Sequence, residues 1–152
     1  MVDVLDVKLN KLATGAGEVL RVFGAIMIVK ADPAELGIFL GEHAIPPGYV
    51  VPPHIHADED EIFYGLEGEL TLMDPDGERT LLPGETAQLP AGSRHGFRND
   101  TTDQVRFLVI ARPGLQAVEM FRHFDRAGCA DPEELTPQEI VAICGQDGVR
   151  MG

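Results

Sequence analysis

A chain of 152 residues with 44% hydrophobic and 24% charged content has the size and make-up of one globular domain, large enough to bury a core without staples. The formal net charge of −13 argues against nucleic acid or an anionic membrane as the main partner, because both reward basic surfaces. Two cysteines, Cys129 and Cys144, are too few for a disulfide framework and read as free thiols in a reducing cytosol.

The first residues, Met1-Val2-Asp3-Val4-Leu5-Asp6, lack the basic-then-apolar pattern of a signal peptide, and the longest apolar run, 23–29, is far short of a membrane span. The expected address is therefore cytoplasmic. Residues 1–17 close on Ala13-Thr14-Gly15-Ala16-Gly17 and read as an N-terminal extension, loosely held or adding an edge strand. Residues 18–30 are rich in β-branched and aromatic side chains with no helix start signal, and Asp32-Pro33 ends that run. A further strand is expected over 36–43, with Ile38 and Leu40 on one face and Phe39 on the other.

Ile45-Pro46-Pro47-Gly48 is a turn cluster, and Pro52-Pro53 just before His54 denies ladder hydrogen bonds there, as at a sheet edge or strand end. Residues 61–74 are the most strand-like of the chain, divided by Gly68 into a turning pair. Asp74-Pro75-Asp76-Gly77 forms the tip of a hairpin. Short strands over 86–89, 96–99 and 105–111 follow, separated by Pro83-Gly84 and by Pro90-Ala91-Gly92-Ser93. Eight or more short strands with Gly/Pro punctuation, uninterrupted by any helical period, predict an all-β barrel or double sheet over 18–112.

After Arg112-Pro113-Gly114 the period changes. Leu115, Val118, Phe121 and Phe124 recur at helical spacing. Asp131-Pro132 and Thr136-Pro137 each supply a capping residue and a proline for the first helical position, with Glu134 and Glu139 completing the caps. Residues 113–152 are expected to form two or three short helices packed on the barrel.

Chemistry concentrates at His54, His56, Glu61 and His95. His54 and His56 are one residue apart and so share one face of an extended strand. Glu61 lies far enough on for a turn and a return on the neighbouring strand, and His95 follows a Pro/Gly turn. Three imidazoles and one carboxylate at one point make a site for a divalent first-row metal, with Fe, Mn, Ni, Cu and Zn as candidates, and leave about two open positions in octahedral geometry. Asp58, Glu59 and Asp60 are read as a solvated acidic loop, with Glu59 as the alternative carboxylate ligand. Glu61, Phe63 and Gly65 share a strand face. Phe63, Tyr64, Met73 and Phe97 are candidates for the wall of a small-molecule pocket. Arg94 and Arg98 flank His95 and are expected to face solvent or to pair with the acidic loop; Asn99 is read as a turn hydrogen-bonder.

These residues fall into two spaced stretches that resemble the two signature motifs of the cupin superfamily. The first is Gly48, His54, His56, Glu61 and Gly68; the second is Gly84, Pro90, Gly92, His95 and Asn99. The resemblance covers roughly residues 36–111, and every fixed position of both motifs matches. Ala111-Arg112-Pro113-Gly114-Leu115 and the helical end are similar to small single-domain cupins of the quercetin dioxygenase-like kind. The resemblance implies a double-stranded β-helix, jelly-roll-like barrel with one metal ion inside, held by His54, His56, Glu61 and His95. It implies a metal-dependent dioxygenase acting on a small enolic or aromatic compound. A metal-assisted isomerase, decarboxylase or lyase and a non-catalytic small-molecule-binding cupin stand as alternatives. It also implies a homodimer that covers exposed edge strands, with residues 1–30 as the expected contact.

Overall fold

In the computed structural model, residues 8–127 and 136–151 are described. Expectations for residues 1–7, for Cys129 and for the cap at 131–134 lie outside the described residues. The elements in chain order are β1 (Glu18–Val22), β2 (Ala25–Ala31), α1 (Pro33–Leu36), β3 (Phe39–Ile45), β4 (Val50–His56), β5 (Asp60–Glu67), β6 (Leu70–Asp74) and β7 (Gly77–Leu81). They continue with β8 (Thr86–Leu89), β9 (Arg94–Arg98), β10 (Val105–Arg112), α2 (Leu115–Arg126), α3 (Pro137–Gln146) and β11 (Val149–Met151). The strands form two antiparallel sheets, one ordered β1-β2-β3-β10-β5-β8 and the other β11-β4-β9-β6-β7. The two sheets make the all-β barrel expected, with short helices near the C-terminus.

Alternation builds the space between the sheets. Along β3 every second residue from Phe39 to Ile45 is buried, and along β10 Val105, Phe107, Val109 and Ala111 are buried while their neighbours are not. Side chains of period two meeting across two facing sheets give a core one side chain deep from each. Phe39, Phe63, Phe107, Met27, Ile45 and Leu70 are its largest fully buried members. A second cluster, Val22, Met120, Phe124, Cys144 and Val149, joins the helices to the open end of the barrel. Burial, with Asp147 next to it, pushes the Cys144 thiol up to about 11, so that side chain behaves as a small hydrophobe. No helix among the described residues is long and apolar enough to cross a membrane.

Two local features differ from the sequence expectation and a third agrees with it in an unexpected setting. Asp32-Pro33 does end β2, but it also starts the single turn of α1. The Asp32 side chain accepts from the Ala34 amide at 2.9 Å, Pro33 occupies the first helical position, and Gly37 closes the turn with φ +68. The next strand therefore begins at Phe39.

Although β4 lies between β11 and β9, β11 pairs only with His54, Ile55 and His56, so Pro52-Pro53 lies past its end on an open edge, as expected. The ladder to β9 slips between Val51 and His54, so the prolines fall where no amide is asked to donate. Gly96 lets β9 close on this bulge: a Cβ there would stand 2.7 Å from the Val51 carbonyl oxygen and 2.9 Å from the Pro53 nitrogen.

The tail, read as helical only, also returns a strand. β11 pairs with β4, setting Val149 opposite His56 and Met151 opposite His54. Three residues are too few to show a period of two, and only the open edge of β4 makes them a strand. The capping box at Thr136 and Glu139 forms as expected.

Candidate metal centre

The bulged end of β4 turns His54 and His56 into the barrel, and the β4–β9 register brings His95 opposite His54. All three imidazoles are buried. Their ring centroids lie 4.6 Å apart for His54 and His95, 5.0 Å for His54 and His56, and 5.6 Å for His56 and His95. One potential ligand nitrogen from each comes within 4.8 Å of the others. Glu61 enters from the facing sheet on β5 and joins the group through His56, its Oε1 2.7 Å from His56 Nε2.

The donors are poorly matched to one another, which is what an ion site requires. His54 Nδ1 donates to the Pro52 carbonyl oxygen at 2.8 Å, which fixes the tautomer and leaves Nε2 with a lone pair. Both ring nitrogens of His95, and Glu61 Oε1, are buried with no hydrogen-bond partner. The Glu61–His56 approach is thus close in distance but off the line a hydrogen bond needs. Each unsatisfied buried polar atom costs about 1–3 kcal/mol. A divalent cation held by the three clustered imidazoles would offset that cost, with the Glu61 carboxylate reaching the cluster through His56, so the residues present fit a metal ion.

Electrostatics point the same way. Burial pushes His95 down to about 4, aided by His54 and His56 and opposed by Glu61. Burial also lowers His54, with the Pro52 carbonyl opposing. Burial disfavours the charged form of His56 as well, but Glu61 and, more distantly, Glu59 outweigh it and lift this histidine above its ordinary value. For Glu61 burial is again outweighed, here by His56, His95 and His54, which hold its carboxyl below the usual range. The carboxylate is therefore ionised among imidazoles that include two favoured as neutral ligands.

The acidic loop behaves differently from the solvated stretch expected of it. Glu59 is 1% exposed, and its carboxylate accepts from the Ala117 amide at 2.8 Å and the Gln116 amide at 3.3 Å. It caps the start of α2, where Gly114 offers no side chain to do so, and is not solvated. Asp60 ties two turns together, accepting from the Ala91 amide and from Arg112 Nη2, both at 2.9 Å. Only Asp58 of the three is fully exposed. Arg94 is exposed, and Arg98 pairs with Glu78 and Asp100, away from the 58–60 loop. Asn99 is fully buried, its Oδ1 accepting from the Thr101 amide and its Nδ2 donating to the Asp103 carbonyl.

A cavity of about 580 Å³ opens from the metal centre toward the helices, lined by His54, His56 and Glu61 at one end and by mostly apolar side chains elsewhere. Phe63 and Phe97 line it, whereas Tyr64 and Met73 do not. Tyr64 follows Phe63 on β5 and so faces outward, 38% exposed. Met73 is half-buried on β6 opposite Gly96. Sequence reasoning missed His43, Met27 and Tyr49, and also Met120, Phe121, Phe124 and Val149 from the tail. The usable signal for His43 was its place at an inward position of β3, in step with Phe39. Nothing local marks the tail residues, which reach the cavity only because the helices fold back.

Residues 41–111 match the family described as Cupin domain. The chain is 26% identical over 155 aligned residues to an oxidoreductase of Arthrobotrys oligospora, covering 89% of this chain and 61% of that protein. It is 38% identical over 72 residues to the quercetin 2,3-dioxygenase of Bacillus subtilis, covering 46% of this chain and 20% of that protein. The chain thus spans about three fifths of one of these relatives and a fifth of the other. Among solved structures it resembles the polyketide cyclase RemF from Streptomyces resistomycificus, with TM-score 0.61 and 26% identity over 70% of this chain and 80% of that one.

Proposed function

This chain belongs to the cupin superfamily through residues 41–111, and from that premise we propose that it is a metal-dependent dioxygenase of a small enolic or aromatic compound. The observation that carries the reading is the group of buried, unpartnered donors on His95 and Glu61, set with His54 and His56 at the end of an apolar cavity. A divalent ion bound by His54, His56, His95 and Glu61 supplies Lewis acidity toward an enolate or phenolate oxygen.

The chain's own residues do the rest. His54, oriented by the Pro52 carbonyl, presents Nε2 inward. Glu61, ionised among the imidazoles, carries the negative charge that balances the cation. Phe63 and Phe97, edge-to-face at 5.6 Å, form an apolar aromatic wall beside the ligands that suits an apolar guest and keeps water out. The relatives named oxidoreductase and quercetin 2,3-dioxygenase support redox chemistry. The same site supports a second reading, a metal-assisted isomerase, decarboxylase or lyase, favoured by the likeness to a polyketide cyclase. A non-catalytic binding cupin is the third, since one barrel hosts many chemistries.

Oxygen uptake with a panel of catechol, flavonol and β-diketone, in protein loaded with Fe(II), Mn, Ni or Cu, tests the first reading. Turnover that consumes dioxygen with at least one metal is the expected result. Turnover indifferent to oxygen selects the second, and tight retention of a compound without chemical change selects the third.

The protein is also proposed to act in the cytoplasm as a homodimer. β1 is an edge strand, with Val19 49% exposed. On the outer face of the same sheet Leu40, Ile110 and Ile62 lie opposite one another in register, while Ile26 lies opposite Ala44, four residues along β3. Light scattering at micromolar concentration is expected to give twice the chain mass of 16.5 kDa; a monomer there overturns the dimer.

A further inference from the structure

The cavity holds a second polar feature that the metal centre leaves unused. His43 points inward from β3, 2% exposed, and lines the same cavity. The rings of Phe107, Phe97, Phe121 and Tyr49 surround it, with centroids 5.3, 6.0, 6.1 and 6.3 Å away. Its Nδ1 has no hydrogen-bond partner. The Tyr49 hydroxyl donates its proton elsewhere, to the Val22 carbonyl oxygen at 2.9 Å.

Burial pushes His43 down to about 4, against a weaker hydrogen bond with the Ile26 backbone. The ring is therefore neutral near pH 7, with one donor and one acceptor nitrogen. Of the two ring nitrogens, Nδ1 is the buried one without a hydrogen-bond partner, and in the tautomer protonated at Nε2 it is an acceptor without a donor.

His43 stands apart from the metal centre. The ring contacts run from His95 to Phe63 at 6.2 Å, on to Phe97 at 5.6 Å, and only then to His43. In register, His43 lies opposite Phe107 and Phe107 opposite Gly65, two strands across from β5 and four residues along it from Glu61. Strand spacing and rise put the Glu61 and His43 Cα positions about 16 Å apart. Beyond the metal-centre residues, the polar side chains lining the cavity are His43, the committed Tyr49 and the Cys144 thiol.

We propose that His43 is a specificity residue: its Nδ1 accepts a hydrogen bond from a hydroxyl at the far end of an elongated aromatic or enolic ligand whose near end lies at His54, His56 and His95. This rests on the reading of the cavity as the substrate site. A ligand that fills the apolar space but lacks the distal hydroxyl leaves Nδ1 unpaired and gains nothing from it. A hydroxyl placed there makes the one bond this wall lacks.

The test uses the full chain after treatment with chelator, so that its outcome does not depend on turnover or on the metal. The probes are 2-naphthol and naphthalene, measured by titration calorimetry and by the ¹⁵N shift of the His43 ring. 2-Naphthol is expected to bind about fivefold to tenfold tighter than naphthalene, the range of one net hydrogen bond, and to move the His43 Nδ1 resonance where naphthalene does not. His43→Phe is expected to bind naphthalene as before and to lose the preference for the hydroxyl, which also shows that the cavity survives the change. His43→Gln, whose carbonyl can accept, is expected to keep part of it.

Equal binding of the two probes to the unaltered chain, or a preference that persists in His43→Phe, overturns the assignment. A dioxygenase assay that fails while the hydroxyl preference stands overturns the proposed activity alone.

Discussion

The two ends of the cavity are built on opposite plans. At the barrel end, His54, His56, His95 and Glu61 crowd polar donors together with few hydrogen bonds between them, and both His95 nitrogens go unpaired. Farther along the cavity, Phe97, Phe107, Phe121 and Tyr49 pack around a single imidazole. The first arrangement is locally unfavourable until something binds, whereas the second stabilises the fold whether or not anything binds. Chemistry and stability are thus carried by different residues of one cavity, and substitutions at the two ends should separate them.

The largest separation is expected from His95→Ala. Losing one of three clustered imidazoles should cut metal content from about one ion per chain to near zero and weaken affinity on the order of 100-fold, more than the loss of an outer partner. The metal-free melting temperature should hardly fall, because the removed nitrogens had no partners. Elemental analysis together with thermal unfolding checks this. Full metal retention breaks the comparison.

Phe97→Ala is the converse. The ring is 7% exposed and touches Phe63, Phe107 and His43, so its loss should cost about 3–5 kcal/mol in denaturant unfolding while any folded protein still takes up its ion.

Acid should act on the aromatic end through His43. Unfolded, its imidazole protonates near the ordinary 6.5; folded, burial holds it at about 4. The unfolded chain therefore binds more protons between those values. Stability tied to this residue is complete above about pH 6.5 and declines as pH falls toward 4, by about 3 kcal/mol at the lower limit. Because burial also lowers His54 and His95, the readout is a difference: His43→Phe should lose less stability than the unaltered chain between pH 7 and pH 4.5. Parallel curves would remove His43 from this account.

The smallest effect is expected at Glu59, which serves the scaffold behind both ends. Glu59→Gln keeps one acceptor for the α2 amides but loses the charge at the helix start, and should cost about 0.5–2 kcal/mol without changing metal stoichiometry. A loss of the ion would return Glu59 to the ligand set.

What could be read from the order of residues was whatever local chemistry decides. The spacing of His54, His56, Glu61 and His95, the alternation along β3 and β10, the hairpin at 74–77 and the cap at Thr136 are each encoded within a few residues. Chain stereochemistry and pleat geometry act at that range. Everything that depended on distant parts meeting stayed hidden.

Asp58, Glu59 and Asp60 look alike in sequence, yet one is exposed, one caps a helix more than fifty residues away and one ties two turns together. Residues 149–151 looked like the end of a helical tail until β4 offered them an edge to pair with. Tyr64 and Phe63 differ only in which face of β5 they occupy. His43 became a cavity residue because β2, β10 and the helices closed around it. Burial and partnership are properties of the whole packed chain, so tertiary structure alone decided which of several similar side chains acquired a task.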